Sequence, residues 1–347
     1  MKKMGSKKKS VLMIATSRRT RGGITAVLKA YETCPFWKDY QIRWLQTHAD
    51  GSLFYKFLWA FKAYMSAFIL IPQYDIIHIH LSQVPSLIRK TLLFVYAKLL
   101  GKKTIVHVHS TMADGPANFL YRFVFKRADY VIALSQSMKK AIEQEIKVDK
   151  NIVVVYNPCK EVSVKSVNKE KIILFAGVLT HKKGYHDLIR AFASIAHRFP
   201  EWKLVLAGSG GIEQGMKMAQ ELEIENQVSF PGWISGMEKE SLFSKASVFC
   251  LPSYTEGFPT AILEACSYGI PFITTPVGGI PEIITDGKNG LLFTPGDINQ
   301  LKEKLALLLS DSELRQTLGE EASQLAKNLF SLDKISSQIA NLYKSLS

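Results

Sequence analysis

Short apolar, β-branched runs alternate along the chain with longer stretches whose apolar residues recur every three or four positions. Residues 11–15 predict a strand and 24–32 a helix; 40–45 predict a strand and 53–71 a long helix. Strands at 75–80, 104–109, 130–134 and 152–156 follow, separated by helices at 86–100, 117–127 and 137–146. Residues 157–170, opened by Asn157-Pro158, break the pattern and read as a linker. The alternation restarts with strands at 171–176, 203–207, 228–230, 248–251, 271–274 and 291–293. Helices at 186–198, 212–222, 238–245, 260–268 and 280–285 fall between them, and helices at 298–310, 312–328 and 331–346 close the chain. Such alternation implies parallel sheets covered on both faces. The fold class expected is therefore α/β, with two Rossmann-like doubly wound domains in tandem. Ligands of these sheets bind beyond the carboxyl ends of the strands, and the cleft between two such domains is the expected site.

Composition narrows this picture only slightly. With 347 residues and 47% hydrophobic residues the chain has material for two cores. Cys34, Cys159, Cys250 and Cys266 lie far apart without metal or redox spacing, which points to a reducing compartment. Lys2, Lys3, Lys7, Lys8 and Lys9 make a basic start, but the apolar run at 11–15 is too short for a signal core. The longest apolar run, 57–71, is short for a membrane span and reads as a buried or interfacial helix.

Charge is distributed unevenly. The net charge is +14, but residues 1–165 hold 27 Lys and Arg against 10 Asp and Glu, a net of +17. The basic charges are scattered singly and in pairs, without an RNA-binding signature, so no nucleic-acid partner is expected. Two readings remain open for them: peripheral contact with an anionic membrane face, or a solvated basic surface. Phe54, Tyr55, Phe57, Trp59 and Phe61 offer an apolar contact in the first reading and core in the second.

Candidate chemistry concentrates in Glu256-Gly-Phe-Pro-Thr-Ala-Ile-Leu-Glu264. A strand ends at Pro252-Ser253, a loop carries Glu256 and Gly257, and Pro259 suits the first helical turn because its missing N–H costs nothing there. The N–H groups of Gly257, Phe258 and Thr260 are then free to face an anion, and the helix dipole favours a phosphate. Glu256 in the loop can accept from sugar hydroxyls, and Glu264 in the helix can grip a ribose diol. A helix cap plus a solvated glutamate is the plain alternative. Gly22-Gly23, between the first strand and helix, permits close backbone approach to a phosphate or sugar. His78, His80, His107 and His109 alternate near two strand ends in a pattern that can bind metal, but no carboxylate or thiolate joins them.

The run from Pro252 through Glu256-Gly257-Phe258-Pro259, Glu264-Ala265, Gly269-Ile270-Pro271, Val277-Gly278-Gly279-Ile280-Pro281-Glu282 and Asn289-Gly290-Leu291-Leu292 covers about forty residues. It resembles the retaining glycosyltransferases of the GT-B fold, family 4 (glycosyl transferases group 1). Weaker similarity, including Asp75-Ile-Ile-His78 and the final helix with Phe330 and Tyr343, extends over nearly the whole chain. The resemblance implies two Rossmann-like domains facing a central cleft. Residues 1–160 would form the acceptor-side domain, 161–328 the nucleotide-sugar domain, and 329–347 a helix packing back on the first.

Carried over residue by residue, the resemblance assigns Glu256 to the donor sugar and Glu264 to the nucleotide ribose. Gly177-Val178-Leu179-Thr-His-Lys-Lys183-Gly184 matches a motif whose lysine, here Lys183, binds the donor diphosphate. The motif's arginine is replaced by Val178, with Lys182, Arg18, Arg19 or Arg21 as candidates to compensate. Gly22 and Gly23 match a loop facing donor phosphates and acceptor, and His109 matches a histidine at the donor sugar. His78 matches a structural strand-end histidine, and His181 lies in the Lys183 loop. The catalytic set expected is Glu256, Lys183 and His109, with Gly22, Gly23, Gly257, Phe258, Thr260 and Glu264 binding the donor. No metal and no other cofactor is expected.

The function expected is a retaining hexosyl transfer from a nucleotide diphosphate sugar, UDP ahead of GDP, to a glycan or lipid-linked acceptor in surface polysaccharide synthesis. Residues near 230–233 would meet the base. The localisation expected is cytoplasmic, with the inner membrane face as a peripheral contact. A nucleotide-sugar epimerase of related fold and a non-catalytic sugar-nucleotide-binding protein are the alternatives.

Overall fold

In the computed structural model, residues 9–49, 51–82, 84–110, 117–149, 151–160, 162 and 168–346 are described. Lys2, Lys3, Lys7 and Lys8 of the basic start, and linker positions 161 and 163–167, lie outside them. The chain divides into two compact units, Met1–Pro158 with Leu332–Ser347, and Cys159–Ser331.

Unit 1 contains strands β1 (Val11–Ala15), β2 (Arg43–Gln46), β3 (Ile76–Leu81), β4 (Lys103–Val108), β5 (Tyr130–Ala133) and β6 (Ile152–Val154). Its helices are α1 (Gly23–Glu32), α2 (Pro35–Asp39), α3 (Leu53–Leu70), α4 (Val84–Leu99), α5 (Ala117–Arg127) and α6 (Gln136–Ala141). All strands run parallel in the order β2-β1-β3-β4-β5-β6. β1 and β3 are buried at every position, as expected of strands covered on both faces.

Unit 2 contains β7 (Glu170–Ala176), β8 (Lys203–Ala207), β9 (Val228–Gly232), β10 (Ala246–Leu251), β11 (Phe272–Thr274) and β12 (Leu291–Leu292). Its helices are α7 (Tyr185–Ala196), α8 (Ile212–Glu221), α9 (Gly236–Lys245), α10 (Thr260–Ser267), α11 (Ile298–Ser310) and α12 (Ser312–Phe330). This sheet is also parallel, in the order β12-β11-β10-β7-β8-β9. The last helix, α13 (Leu332–Ser345), belongs to unit 1 and packs on α1 and α2. Ile335, Ile339 and Tyr343, one turn apart, enter the unit 1 core, and Tyr40 Oη donates to the Ala340 carbonyl at 3.1 Å.

Several boundaries differ from the periodicity for local reasons. Residue Gln41 is left-handed (φ 46°), so the chain turns there and β2 starts at Arg43 instead of Tyr40. The helix expected over 137–146 is α6 followed by a π turn, Ile142–Ile146, ended by left-handed Lys147. The helix expected over 280–285 is one 3₁₀ turn, Ile280–Glu282. There the Asn289 amide accepts from Thr285 N–H and donates to the Ile283 carbonyl, so a loop satisfies those backbone groups.

Of the buried and interfacial readings of the 57–71 run, helix α3 excludes the buried one. Its small residues, Ala63 and Ala67, face the protein, while Phe54, Phe57, Phe61, Met65 and Phe68 form an exposed stripe at spacings of three and four. Phe54 is 72% exposed and Phe57 69%. Of the five aromatics 54, 55, 57, 59 and 61, only Trp59 is half-buried, so the core reading fails for the rest. By length and composition, Phe54–Gln73 is also apolar enough to cross a membrane. Tyr64 Oη donates to the Arg89 carbonyl at 2.7 Å, and the Phe68 and Tyr96 rings lie 4.7 Å apart, so α3 lies against α4.

Candidate active site

The strand order of unit 2 reverses between β7 and β10, and ligands of open parallel sheets bind beyond the carboxyl ends of strands at such a switch point. The loop after β7 carries Lys183, and the loop after β10 carries Glu256. Tyr254 N–H donates to the Lys182 carbonyl at 2.8 Å and ties the two loops together. Gly184 (φ +70°) lies so close to the second loop that a Cβ there would sit 1.9 Å from the Pro252 carbonyl oxygen.

This approach puts Lys183 Nζ 2.5 Å from Glu256 Oε1. Ser253 Oγ donates to the same oxygen at 2.7 Å, and its own carbonyl accepts from Thr275 Oγ1 at 2.5 Å. The Glu256 side chain is buried, and Lys183 keeps 30% of its side chain exposed. A third loop supports the second from behind. Gly278 (φ +60°) would place a Cβ 2.1 Å from the Glu256 carbonyl oxygen, and Gly279 N–H donates to the Gly257 carbonyl at 3.0 Å.

Helix α10 starts at Thr260, with Pro259 in the extended N-cap position, one place earlier than expected. No side chain caps it. The N–H groups of its first turn have no acceptor within the helix, and they present the positive end of the dipole. Gly257 and Thr260 are half-buried at this end. The Phe258 ring is buried 5.5 Å from Phe330, so only its backbone remains for a ligand. Further along α10, Glu264 Oε1 is 2.5 Å from Lys239 Nζ on α9. This pair lines a hollow of about 100 Å³ with Lys160, Phe243 and Tyr268. Val178, which stands where an arginine was expected, is exposed.

In unit 1, Gly22 is the N-cap of α1 with φ +142°, a conformation that side chains rarely adopt, and Gly23 is the first helical residue. His109 follows β4 and extends its ladder by donating N–H to the Leu81 carbonyl at 2.8 Å. Its Nε2 is 2.7 Å from His80 Nδ1, which leaves Nδ1 for a ligand. His78 Nδ1 is 2.7 Å from Tyr343 Oη. The rings of His78, His80, His107 and His109 form a column, with neighbouring centroids 4.3–4.9 Å apart and ring planes 12–32° from parallel. Ring nitrogens of His78, His80 and His107 lie within 4.8 Å of one another, but stacked rings hold their lone pairs in nearly parallel planes. Burial pushes His78 down to about 3 and holds His80 and His107 well below the usual imidazole range. Lys90, also buried, donates to the His80 carbonyl and is pushed down to about 7 by burial and then by the Arg89 charge.

Sequence reasoning missed Ser253, Lys239, Gly278 and Lys90 as determinants of these arrangements. Ser253 and Gly278 stand inside the recognised motif and were open to notice. Lys239 lies 25 residues before Glu264, and no spacing signal joins the two.

Comparison with known proteins fits this geometry. A family model described as glycosyl transferases group 1 matches residues 160–325, and one described as glycosyltransferase family 4 matches residues 29–160. N-acetyl-alpha-D-glucosaminyl L-malate synthase of Bacillus anthracis is 30% identical over 291 residues, covering 78% of this chain and 74% of that protein. The chain belongs to the group 1 glycosyltransferases. This glycosyltransferase is also 30% identical, over 67% of its own length and 66% of the relative's, to a Campylobacter jejuni protein. That protein is named as an alpha-1,4-N-acetyl-D-galactosaminyltransferase acting on a PP-undecaprenol-linked glycan. Anabaena HepE, solved with UDP and glucose, superposes with a TM-score of 0.80 at 20% identity over 97% of this chain and 100% of HepE, a likeness of GT-B fold. With membership in this enzyme family, the epimerase and non-catalytic alternatives fall away.

Proposed function

We propose that this glycosyltransferase moves a sugar from a UDP-sugar to a lipid-linked glycan with retention of anomeric configuration, in surface polysaccharide synthesis. The observation that carries the reading is the Lys183–Glu256 pair at the β7/β10 switch point. In the donor complex Lys183 turns to the diphosphate, and the N-terminus of α10 adds its N–H groups to the same charge. Glu256, held by Ser253, accepts from the sugar hydroxyls, and Glu264 accepts from the ribose diol. His109 offers Nδ1 to the sugar, and Gly22 and Gly23 leave backbone open to phosphate and acceptor.

In the reaction the bond from the anomeric carbon to the β-phosphate oxygen breaks. A bond from that carbon to the acceptor oxygen forms on the same face, and the acceptor proton passes to the departing phosphate oxygen. The positive charge already placed at the leaving group makes the step metal-independent in this reading. The undecaprenol-linked acceptor in the Campylobacter relative's name and the UDP in the HepE structure support the choice of substrates.

A lipid-linked acceptor also accounts for the surface of unit 1. The outward stripe of α3 would lie in the membrane interface, where each exposed Phe contributes about 1–2 kcal/mol on burial. Between Gly51 and Ala113 the only acidic residue in the sequence is Asp75, so the stretch that carries α3 suits an anionic bilayer.

The test is turnover with UDP-sugars and a lipid-pyrophosphate glycan. Glu256→Gln and Lys183→Ala should each lose roughly 10²–10³ in kcat while remaining folded. Near-normal rates in both sink the site assignment. An α-linked product from an α-configured donor, read by NMR, is expected, and a β-linked product refutes retention. Activity abolished by EDTA and restored by a divalent ion refutes metal independence.

A further inference from the structure

A hollow of about 220 Å³ lies in unit 1 between α3 and the edge strand β2, and none of its lining residues belongs to the catalytic or donor-binding set proposed above. Arg43, Trp44 and Gln46 line it from the strand, and Trp59, Lys62 and Ser66 from the helix. Arg43 and Lys62 are both exposed, and neither has an ion-pair partner among the described residues. The neighbouring carboxylate, Glu32, is already taken by Arg18, whose guanidinium stacks 4.6 Å over the Trp44 ring. The Trp44 indole N–H is spent on the Thr16 carbonyl at 2.9 Å, so this residue turns only its ring to the hollow. Two free cations, an amide, a hydroxyl and two indole rings therefore surround a space open to solvent. That is the chemistry of a phosphate joined to a short polar group.

Its position selects the source of the phosphate. The helix that contributes Lys62 also carries the exposed Phe54, Phe57, Phe61, Met65 and Phe68 stripe. A molecule that rests this stripe in lipid brings the hollow to the depth of the headgroups, where tryptophan and the basic side chains Arg and Lys belong. The volume is roughly that of seven waters, room for a glycerol phosphate and too small for a glycan chain. We propose that this hollow binds the headgroup phosphate of an anionic glycerophospholipid and so fixes α3 in the plane of the membrane. The proposal rests on the membrane-contact part of the function proposed above. It adds a discrete lipid site distinct from diffuse charge attraction.

The test is co-sedimentation of the full chain with vesicles of phosphatidylcholine alone or with one quarter phosphatidylglycerol. The wild type should bind the phosphatidylglycerol vesicles at least tenfold more tightly. Arg43→Gln with Lys62→Gln should lose most of that preference. Lys126→Gln with Arg127→Gln, the same charge change at exposed positions at the end of α5, should lose no more than about twofold. Soluble glycerol phosphate at millimolar concentration should compete with the wild type and not with the pocket double variant. Equal losses in the two double variants, or no loss in the first, overturn the site in favour of diffuse attraction. Concentration-dependent dimerisation that hides the α3 stripe without lipid also overturns it, because a second copy would then be the occupant. The UDP thermal shift of each variant reports folding and donor binding separately. Failure of the lipid site is thereby distinguished from failure of the transferase reading.

Discussion

Acid should unfold unit 1 through its histidine column. The ordinary imidazole value is 6.5, and burial holds His78 at about 3. His80 and His107 are likewise held well below the usual range by burial, with neighbouring histidines adding to it, and burial and then the Lys90 charge hold His109 at about 3. In the unfolded chain all four take up protons as the pH falls through about 6.5, whereas the folded column stays neutral until much lower. Protons therefore bind preferentially to the unfolded state, and stability present above that value is lost as the pH drops. At about pH 5 the loss is roughly 2 kcal/mol per histidine, about 8 kcal/mol for four. That is a large part of the roughly 5–15 kcal/mol that holds a domain folded. The informative variant is His107→Leu, because both His107 ring nitrogens are buried without a partner. Removing them should stabilise unit 1 by about 1–3 kcal/mol at neutral pH and remove about a quarter of the acid loss. Hydrogen exchange of peptides from β3 and β4, against β7 and β10, measured in denaturant at pH 7 and 5, separates the units. A wild-type β3–β4 stability unchanged between the two pH values refutes the reasoning, as does a His107→Leu variant that stays fully acid-sensitive.

Three further outcomes follow from named contacts. Val178→Arg should restore a second cation beside Lys183 and tighten UDP binding several-fold by calorimetry; unchanged affinity would show that the site is complete without it. Gly278→Ala should cost about 2–4 kcal/mol by thermal or denaturant unfolding, because its Cβ would meet the Glu256 carbonyl at 2.1 Å and its φ is +60°. Lys90→Met should stabilise unit 1 at neutral pH by about 2–4 kcal/mol. The buried amine falls from 10.5 to about 7 on folding, so wild-type stability should rise with pH across that window and the variant's should not.

Alternation of apolar runs was enough to read two parallel sheets, because strands covered on both faces must be apolar throughout and their connections must be helical. The site motif was legible for a related reason: Gly184, Gly278 and Pro259 record backbone constraints that few other residues satisfy. What stayed hidden depended on which way a side chain faces. An aromatic stripe at helical spacing looks identical whether it enters a core or leaves one, and for α3 only the placement of Ala63 and Ala67 against the protein decides. The Lys239–Glu264 pair was hidden because it joins two helices across 25 residues of sequence. The turn at Gln41 was hidden because a left-handed glutamine carries no compositional mark.

The contact between Lys183 and Glu256 gives the resting site a selectivity of its own. Each group neutralises the other, so this pair presents neither a bare cation nor a bare anion at the switch point. A small anion such as inorganic phosphate would have to displace the carboxylate from the lysine and leave Glu256, largely buried, without its counter-charge. In the reaction proposed above, a sugar nucleotide would release both partners at once, giving its diphosphate to Lys183 and its hydroxyls to Glu256. On that proposal the site answers to two chemical features presented together, and a ligand with one of them meets a lock that is already closed.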